Sequence, residues 1–225
     1  MKWLLIGALA LFLLFGGFLL TPSPVDSKAW QAPKPPSMTG AYVPNSHLRQ
    51  AELLAKGQVY GPEDTTVGAD GVLYAGTQDG KIIRVFPDGK VDTWLETGGR
   101  PLGMVMDKQG NLLVADSGKG LLSITPEGEI NVLSREAAGT PFRFTDDVII
   151  APDGGIYFTD ASSRFGQQDY LLDLLEMRPH GRLLRYNPKT RKTEVLLADL
   201  HFPNGVAVSP EGDYVLVNET WKYRI

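Results

Sequence analysis

Cysteine is absent from all 225 residues, which excludes a disulfide framework and a thiolate metal site. Histidine is scarce, and His47, His180 and His201 are scattered, which argues against a histidine-rich transition-metal centre. Any metal here must therefore be held by oxygen. The chain also lacks a run of five or more basic residues. Its 22 Lys and Arg stand against 26 Asp and Glu, for a net charge of -4, and this balance argues against a nucleic-acid partner.

Charge is missing altogether from Trp3 to Leu20. As a helix this stretch would rise about 27 Å, close to the thickness of a hydrocarbon core. No clear small-x-small site follows, and Pro22 and Pro24 crowd the place where one would lie. We expect residues 1–20 to act as a membrane anchor, the alternative being a cleaved signal segment. Lys2 favours an N-terminus on the inner side, with the remainder outside the cytoplasm or exported. Residues 21–47 follow as a proline-rich linker, with Pro22, Pro24, Pro33, Pro35, Pro36 and Pro44 and few large apolar side chains. Such a stretch is semi-extended and buries no core, so it reads as a spacer. The globular domain is expected over residues 48–225.

What is present there is repetition. Asp70-Gly71, Gln109-Gly110, Asp153-Gly154 and Glu211-Gly212 are turns of one kind, each followed by a β-rich run (VLYAG, NLLVAD, GIYFTD, DYVLVNE). Each is preceded by a short apolar run (TTVGA, GMVMD, VIIA, GVAVS). Third runs (KIIRV, GLLSI, GRLLRY) and fourth runs (VDTW, INVL, TEVLL) complete the first three copies. Four short strands per unit, joined by tight turns, indicate an all-β fold, a β-propeller of four-stranded blades. About four blades are expected here, the fourth stopping within its third strand near Tyr223-Arg224-Ile225. A six-bladed ring would need on the order of 100 residues more. The longer spacing before the fourth copy comes from QQDYLLDLLEM, where leucines at helical intervals predict a short amphipathic helix. It either packs over a blade edge or forms a lid near a pocket.

Eight residues before each turn glycine stand Glu63, Leu102, Asp146 and Asn204. Each enters the first strand of its blade, the strand that lines a propeller's central channel. Three of the four carry oxygen. Oxygen ligands converging from separate blades suit Ca²⁺, with Mg²⁺ or Mn²⁺ as alternatives. Without a cation, Glu63 and Asp146 would repel each other at the axis. The plainer reading is that such residues satisfy turn amides. Asp147 is a further ligand or an outward, solvated neighbour. Asp116, Asp160 and Glu219, at the ends of the second strands, read as acceptors for blade turns, and His180 and His201 as loop residues.

The segments RPLGMVMDKQGNLLVADSGKGLLSITPEG, GTPFRFTDDVIIAPDGGIYFTDASSRF, QQDYLLDLLEMRPHGRLLRYNPKT and LLADLHFPNGVAVSPEGDYVLVNETWKYRI resemble the strictosidine synthase-like family. That family is grouped with the SMP-30/gluconolactonase-type and paraoxonase-like six-bladed propellers. The apolar N-terminus resembles its membrane-anchored branch, the adipocyte plasma-membrane-associated-protein type. The resemblance implies a divalent cation, usually calcium, held by a glutamate at Glu63 and an asparagine at Asn204. Asp146 stands where the wider group commonly has asparagine. It further implies hydrolysis of a small-molecule ester or lactone, with Asp147 as candidate proton-carrying carboxylate. The alternative is a non-catalytic propeller binding module with a structural ion.

Overall fold

The computed structural model describes residues 2–225. The first element, α1 (Lys2–Leu19), is apolar after Lys2 and largely exposed, with Ile6 57% and Trp3 85% exposed. Its 18 residues rise about 27 Å, short of a hydrocarbon core of about 30 Å. Among the described residues no helix is long and apolar enough to cross a membrane, so the expected crossing segment is not found there. Met1, which the anchor included, lies outside the described residues.

Blade 1 is built from β1 (Thr65–Val67), β2 (Leu73–Gly76), β3 (Lys81–Val85) and β4 (Val91–Glu96). Blade 2 holds β5 (Pro101–Met106), β6 (Leu112–Asp116), β7 (Gly120–Ile124) and β8 (Ile130–Ser134). A hairpin of β9 (Glu136–Ala137) and β10 (Thr140–Pro141) leads to blade 3. That blade comprises β11 (Thr145–Ile150), β12 (Ile156–Asp160), β13 (Gly181–Asn187) and β14 (Lys192–Leu200). Each blade is an antiparallel meander with its strands in chain order. A fourth unit contains β15 (Pro203–Val208) and β16 (Val215–Glu219). The third run expected after it is instead a 3₁₀ turn at Thr220–Lys222 and a single bridge from Glu219 to Arg224. The chain is therefore a partial propeller: three complete blades and the inner pair of strands of another.

One local cause recurs in all four units. Gly71, Gly110, Gly154 and Gly212 have φ of 80°, 85°, 83° and 76°, in the left-handed region that favours glycine. Each turn reverses the chain between the first two strands and fixes their register. The two largest parts of the core then form between blades, and a smaller cluster of Ala75, Ile83 and Val85 lies within blade 1. Leu113, Ala115 and Leu121 of blade 2 meet Val148, Ile156, Phe158 and Leu184 of blade 3. Ile82 of blade 1 joins Met104, Leu112, Val114, Leu122 and Ile124 of blade 2. A sheet in this arrangement buries both faces against its neighbours, which is why its inner strands are almost continuously apolar.

The insertion forms α2 (Tyr170–Glu176), and its place is decided by aromatic contacts. Tyr170 packs against Phe144 and Phe202, with ring centroids 6.1 and 6.5 Å apart, and Trp221 lies 4.5 Å from Phe202. Phe144 and Phe202 immediately precede β11 and β15, so α2 covers the end of the propeller where the first strands of blades 3 and 4 begin.

Candidate metal centre

The first strands of the second, third and fourth units carry a bulge at the same place, and β1 of blade 1 does not. The pairing slips between Pro101 and Met104, between Thr145 and Val148, and between Pro203 and Val206. Leu102-Gly103, Asp146-Asp147 and Asn204-Gly205 occupy these bulges. A bulge re-aims the residues it contains, here toward the channel. Two second-strand side chains hold the bulged amides: Thr159 Oγ1 accepts from Asp147 N at 3.1 Å, and Asn218 Oδ1 from Asn204 N at 3.1 Å. In blade 1, Glu63 lies just ahead of β1, with its N–H donating to Gly76 O at 3.3 Å.

The result is one cavity of about 170 Å³ lined by Glu63, Asp64, Gly103, Asp146, Asp147, Asn204 and Gly205. The structure thus brings Glu63, Asp146, Asn204 and Asp147 together. It does not bring Leu102, which is buried with Phe144, Ala161 and Phe202. Asn204 Nδ2 donates to Asp146 Oδ2 at 2.8 Å across the boundary between blades 3 and 4. Asp146 is 3% exposed, and burial, then Glu63 and Asp147, hold its carboxyl well above the ordinary range, with the Asn204 bond opposing. Burial, then the charges of Asp64 and Asp147, raise Glu63, and burial raises Asp147.

The shifts set a pH dependence. A carboxyl whose folded pKa lies above its unfolded value binds its proton more tightly when folded, so it favours folding at low pH. Stability of the cation-free chain should fall as pH rises from about 4, the unfolded carboxylate value, through the raised values of Glu63, Asp146 and Asp147. Urea titrations in chelator at several pH values measure it, and a contribution that grows across this window would show that these groups are not proton-rich.

The residue after each candidate ligand shows a second pattern that the sequence reading missed. Asp64 Oδ1 accepts from Thr65 N at 2.7 Å, and its Oδ2 from Met104 N in blade 2 at 2.8 Å. Asp147 does the same: Oδ1 accepts from Val148 N and Oδ2 from Val206 N in blade 4, both at 2.8 Å. These aspartates tie one blade to the next. The intervening units have Gly103 and Gly205 at that register. A Cβ on Gly103 would stand 2.6 Å from both Cα and Oδ1 of Asp147. Gly103→Ala must therefore push apart β5 and β11, and we expect a loss of about 1–3 kcal/mol in urea unfolding. A loss below a few tenths would mean that the backbones are not in contact there. The alternation Asp, Gly, Asp, Gly at seven residues before the turn glycine was the available signal.

Arg100 was also missed. It is half-buried, its Nε and Nη1 have no hydrogen-bond partner, and burial lowers its pKa against the opposing charges of Glu63, Asp116 and Asp146. The acids at the second-strand ends are turn acceptors as expected. Asp116 Oδ1 accepts from Arg100 N and Gly118 N, at 3.0 and 2.9 Å. Asp160 Oδ1 accepts from Phe144 N at 3.0 Å, and Glu219 Oε1 from His201 N at 3.2 Å. His180 Nε2 lies 3.0 Å from Glu176 Oε1, and burial lowers His201; neither histidine lines the cavity.

Among the described residues no three His, Asp or Glu side chains converge on one point suited to a metal ion. The donor chemistry of the cavity nonetheless fits a hard cation. It is all oxygen, it includes a buried carboxyl crowded by like charges, and a half-turn of the Asn204 amide would present its carbonyl oxygen beside Asp146.

Two family models match: strictosidine synthase over residues 146–225 and the strictosidine synthase-like N-terminal region over residues 40–85. The chain belongs to the strictosidine synthase-like family. It is similar to the adipocyte plasma membrane-associated protein of Rattus norvegicus, 40% identical over 230 residues, 94% of this chain and 61% of that protein. It is also similar to strictosidine synthase-like 4 of Arabidopsis thaliana, 42% identical over 180 residues, 77% of this chain and 49% of that one. The chain thus spans between half and three-fifths of the length of these relatives. Among solved structures, a gluconolactonase from Xanthomonas campestris matches with a TM-score of 0.60 and 26% identity, covering 72% of this chain and 55% of that one. A calcium-binding regucalcin from Agrobacterium tumefaciens shares the fold, with a TM-score of 0.56 and 16% identity over 72% and 51% of the two chains.

Proposed function

We propose that this family member is a divalent-cation-dependent hydrolase of lactones or aryl esters, with calcium as the cation. The observation that carries this reading is the convergence of Glu63, Asp146 and Asn204, from three separate blades, on one oxygen-lined cavity. Likeness to a gluconolactonase adds support for a lactone substrate. A bound divalent cation supplies a Lewis acid that polarises a carbonyl and acidifies water. In that arrangement Glu63, Asp146 and Asn204 hold the cation. Asp147, which lines the same cavity and whose carboxyl burial pushes up, would be the proton-accepting carboxylate, through an oxygen that also accepts the Val206 N–H. Asp147→Asn removes the basicity but keeps only one of the two backbone ties, because its single amide oxygen cannot accept from both Val148 N and Val206 N, so its stability must be measured beside its turnover. We further propose membrane association through α1, in keeping with the name of the rat relative.

The test is hydrolysis of phenyl acetate and a panel of lactones by the full-length protein, with calcium or with chelator. Turnover that requires calcium and disappears in Glu63→Ala supports the proposal. Activity indifferent to both would remove the metal from the chemistry. A second reading, a binding propeller with a structural ion, is favoured because among the described residues no three His, Asp or Glu side chains form a group suited to a metal ion. A calcium-dependent melt with no turnover on any ester selects it.

A further inference from the structure

The helix of the insertion is amphipathic in the inverted sense. On α2 the acids are inside, with Asp173 and Glu176 each 0% exposed, and the leucines are outside: Leu171 is 56%, Leu174 38% and Leu175 61% exposed. The buried acids have specific partners. Glu176 Oε1 lies 2.8 Å from Arg164 Nη1 and 3.0 Å from His180 Nε2, and Trp221 Nε1 donates to Asp173 Oδ1 at 2.9 Å. The polar face is thus fixed against the propeller, and the apolar face is held in solvent. Burying three leucines would stabilise the protein by several kcal/mol, so this orientation wastes a large hydrophobic term unless something covers them.

What meets the C-terminal end of α2 is the segment expected to be a spacer. It is extended, as its prolines require, but residues 24–30 are fastened to the propeller. Lys28 N donates to Glu176 O at 2.8 Å, and Arg178 Nε to Asp26 O at 2.7 Å. Arg178 Nη2 pairs with Asp26 Oδ2 at 2.5 Å, and Arg164 Nη2 donates to Pro24 O at 3.4 Å. Trp30 stacks on Tyr223 at 5.7 Å, and Lys222 Nζ lies over the Trp30 ring at 4.8 Å. Four residues, 20–23, separate the end of α1 at Leu19 from Pro24, a reach of at most about 18 Å over five Cα steps. Wherever α1 inserts, α2 stands close by. Lys28 bonds the C-terminal end of α2 and Lys222 lies over Trp30 of the same strap, so the two ammonium groups gather at that end of the helix, while Asp169 stands exposed at its N-cap. The ammonium of Lys222 is pushed down by burial and then by Lys28 and Arg224, a mark of uncompensated positive charge.

We propose that the leucine face of α2, edged by Lys28 and Lys222, seats on an anionic lipid surface and turns the cavity-bearing end of the propeller toward the bilayer. This rests on the membrane association proposed above and adds an orientation to it. Leucines beneath a cationic edge, with Trp30 at the boundary, are the chemistry of an interfacial contact. Because Tyr170 of α2 packs on Phe144 and Phe202, two residues from Asp146 and Asn204, an apolar ester would pass from lipid to the cavity along this side.

The experiment attaches an environment-sensitive fluorophore through Leu175→Cys, or through Gln109→Cys in a turn at the opposite ends of the first strands, in the full-length protein. Phosphatidylcholine vesicles with and without phosphatidylserine are then added. The expected result is a blue shift at 175 only, larger with phosphatidylserine, and an at least about 10-fold weaker vesicle partition for the L171S/L174S/L175S variant. Asp26→Ala with Arg178→Ala should keep co-sedimentation through α1 and lose the shift at 175. Co-sedimentation with no shift at 175, or an equal shift at 109, overturns the orientation and leaves membrane association standing. Failure to co-sediment at all overturns both. A shift at 175 that grows with protein concentration without vesicles assigns the leucines to a second copy of the chain and overturns the lipid contact.

Discussion

Asp146→Ala should cost about a thousandfold in calcium-dependent turnover, or about 4 kcal/mol of transition-state stabilisation, and should remove calcium binding by calorimetry. The expectation follows from burial. Asp146 is 3% exposed, and two of the groups that raise its pKa, Glu63 and Asp147, line the same cavity. A carboxylate kept in that position at neutral pH needs a positive partner, and Arg100 acts on it more weakly than the acids do. Asp146→Asn separates the charge from the oxygen. It keeps a donor atom and removes one like charge from the cavity. In chelator at neutral pH this variant should be more stable than the parent; in excess calcium the order should reverse, because the parent gains more from the ion. Parallel denaturation with and without calcium reads both orders. If Asp146→Asn is the less stable protein in both conditions, Asp146 is a structural acceptor for Asn204 and the cation reading fails.

The blades were legible because the turn glycines repeat, and their positive φ values make that repeat a geometric one. The channel positions were legible for the same reason: counting back from a fixed turn lands on the same bulge in three units and just ahead of β1 in blade 1. Leu102 shows where counting stops. Its register is right, yet the side chain joins Phe144 and Phe202 in an apolar cluster, and the residue that matters to the cavity is Gly103. The blade-to-blade ties of Asp64 and Asp147 were harder to read because their partners are main-chain amides of the next unit, and only the alternation of Asp and Gly at that register marks them. The insertion was read correctly as a helix, but its leucines implied burial toward the protein. Arg164, His180 and Trp221 reversed that by pairing its acids, and those partners are distant in sequence or lie on other elements. The expected spacer failed for a related reason. Proline keeps residues 24–30 extended but does not keep them from hydrogen bonding, and Arg178 and Glu176 present the partners.

Arg182→Ala should destabilise the chain by about 3–5 kcal/mol, a large share of the 5–15 kcal/mol typical of a domain. Arg182 and Asp160 are 7% and 0% exposed, with Nη2 2.5 Å and Nε 3.2 Å from Asp160 Oδ2. The same guanidinium donates to the carbonyls of Ala137 at 3.3 Å, Thr140 at 3.4 Å and Pro141 at 3.2 Å, and lies 5.4 Å from the Phe142 ring centre. Truncation would therefore strand a buried carboxylate and three carbonyls of the β9–β10 hairpin together. Lysine cannot replace the fork, since one ammonium cannot span the carboxylate and the hairpin carbonyls, so Arg182→Lys should lose most of the same energy. Asp160→Asn is the informative partner variant, because removing the negative charge lowers the cost of losing the arginine. In a double-mutant cycle the pair should couple by at least about 1 kcal/mol. Urea unfolding measures each corner, and a loss under about 1 kcal/mol for Arg182→Ala would show that water reaches these groups and that the pair is not sealed. The consequence extends to the cavity. Asp160 also accepts from Phe144 N at 3.0 Å, and Phe144 stands two residues before Asp146. Loosening this pair should therefore weaken calcium binding even though Arg182 does not line the cavity, and Asp160→Asn, which keeps an acceptor for Phe144, should weaken it less.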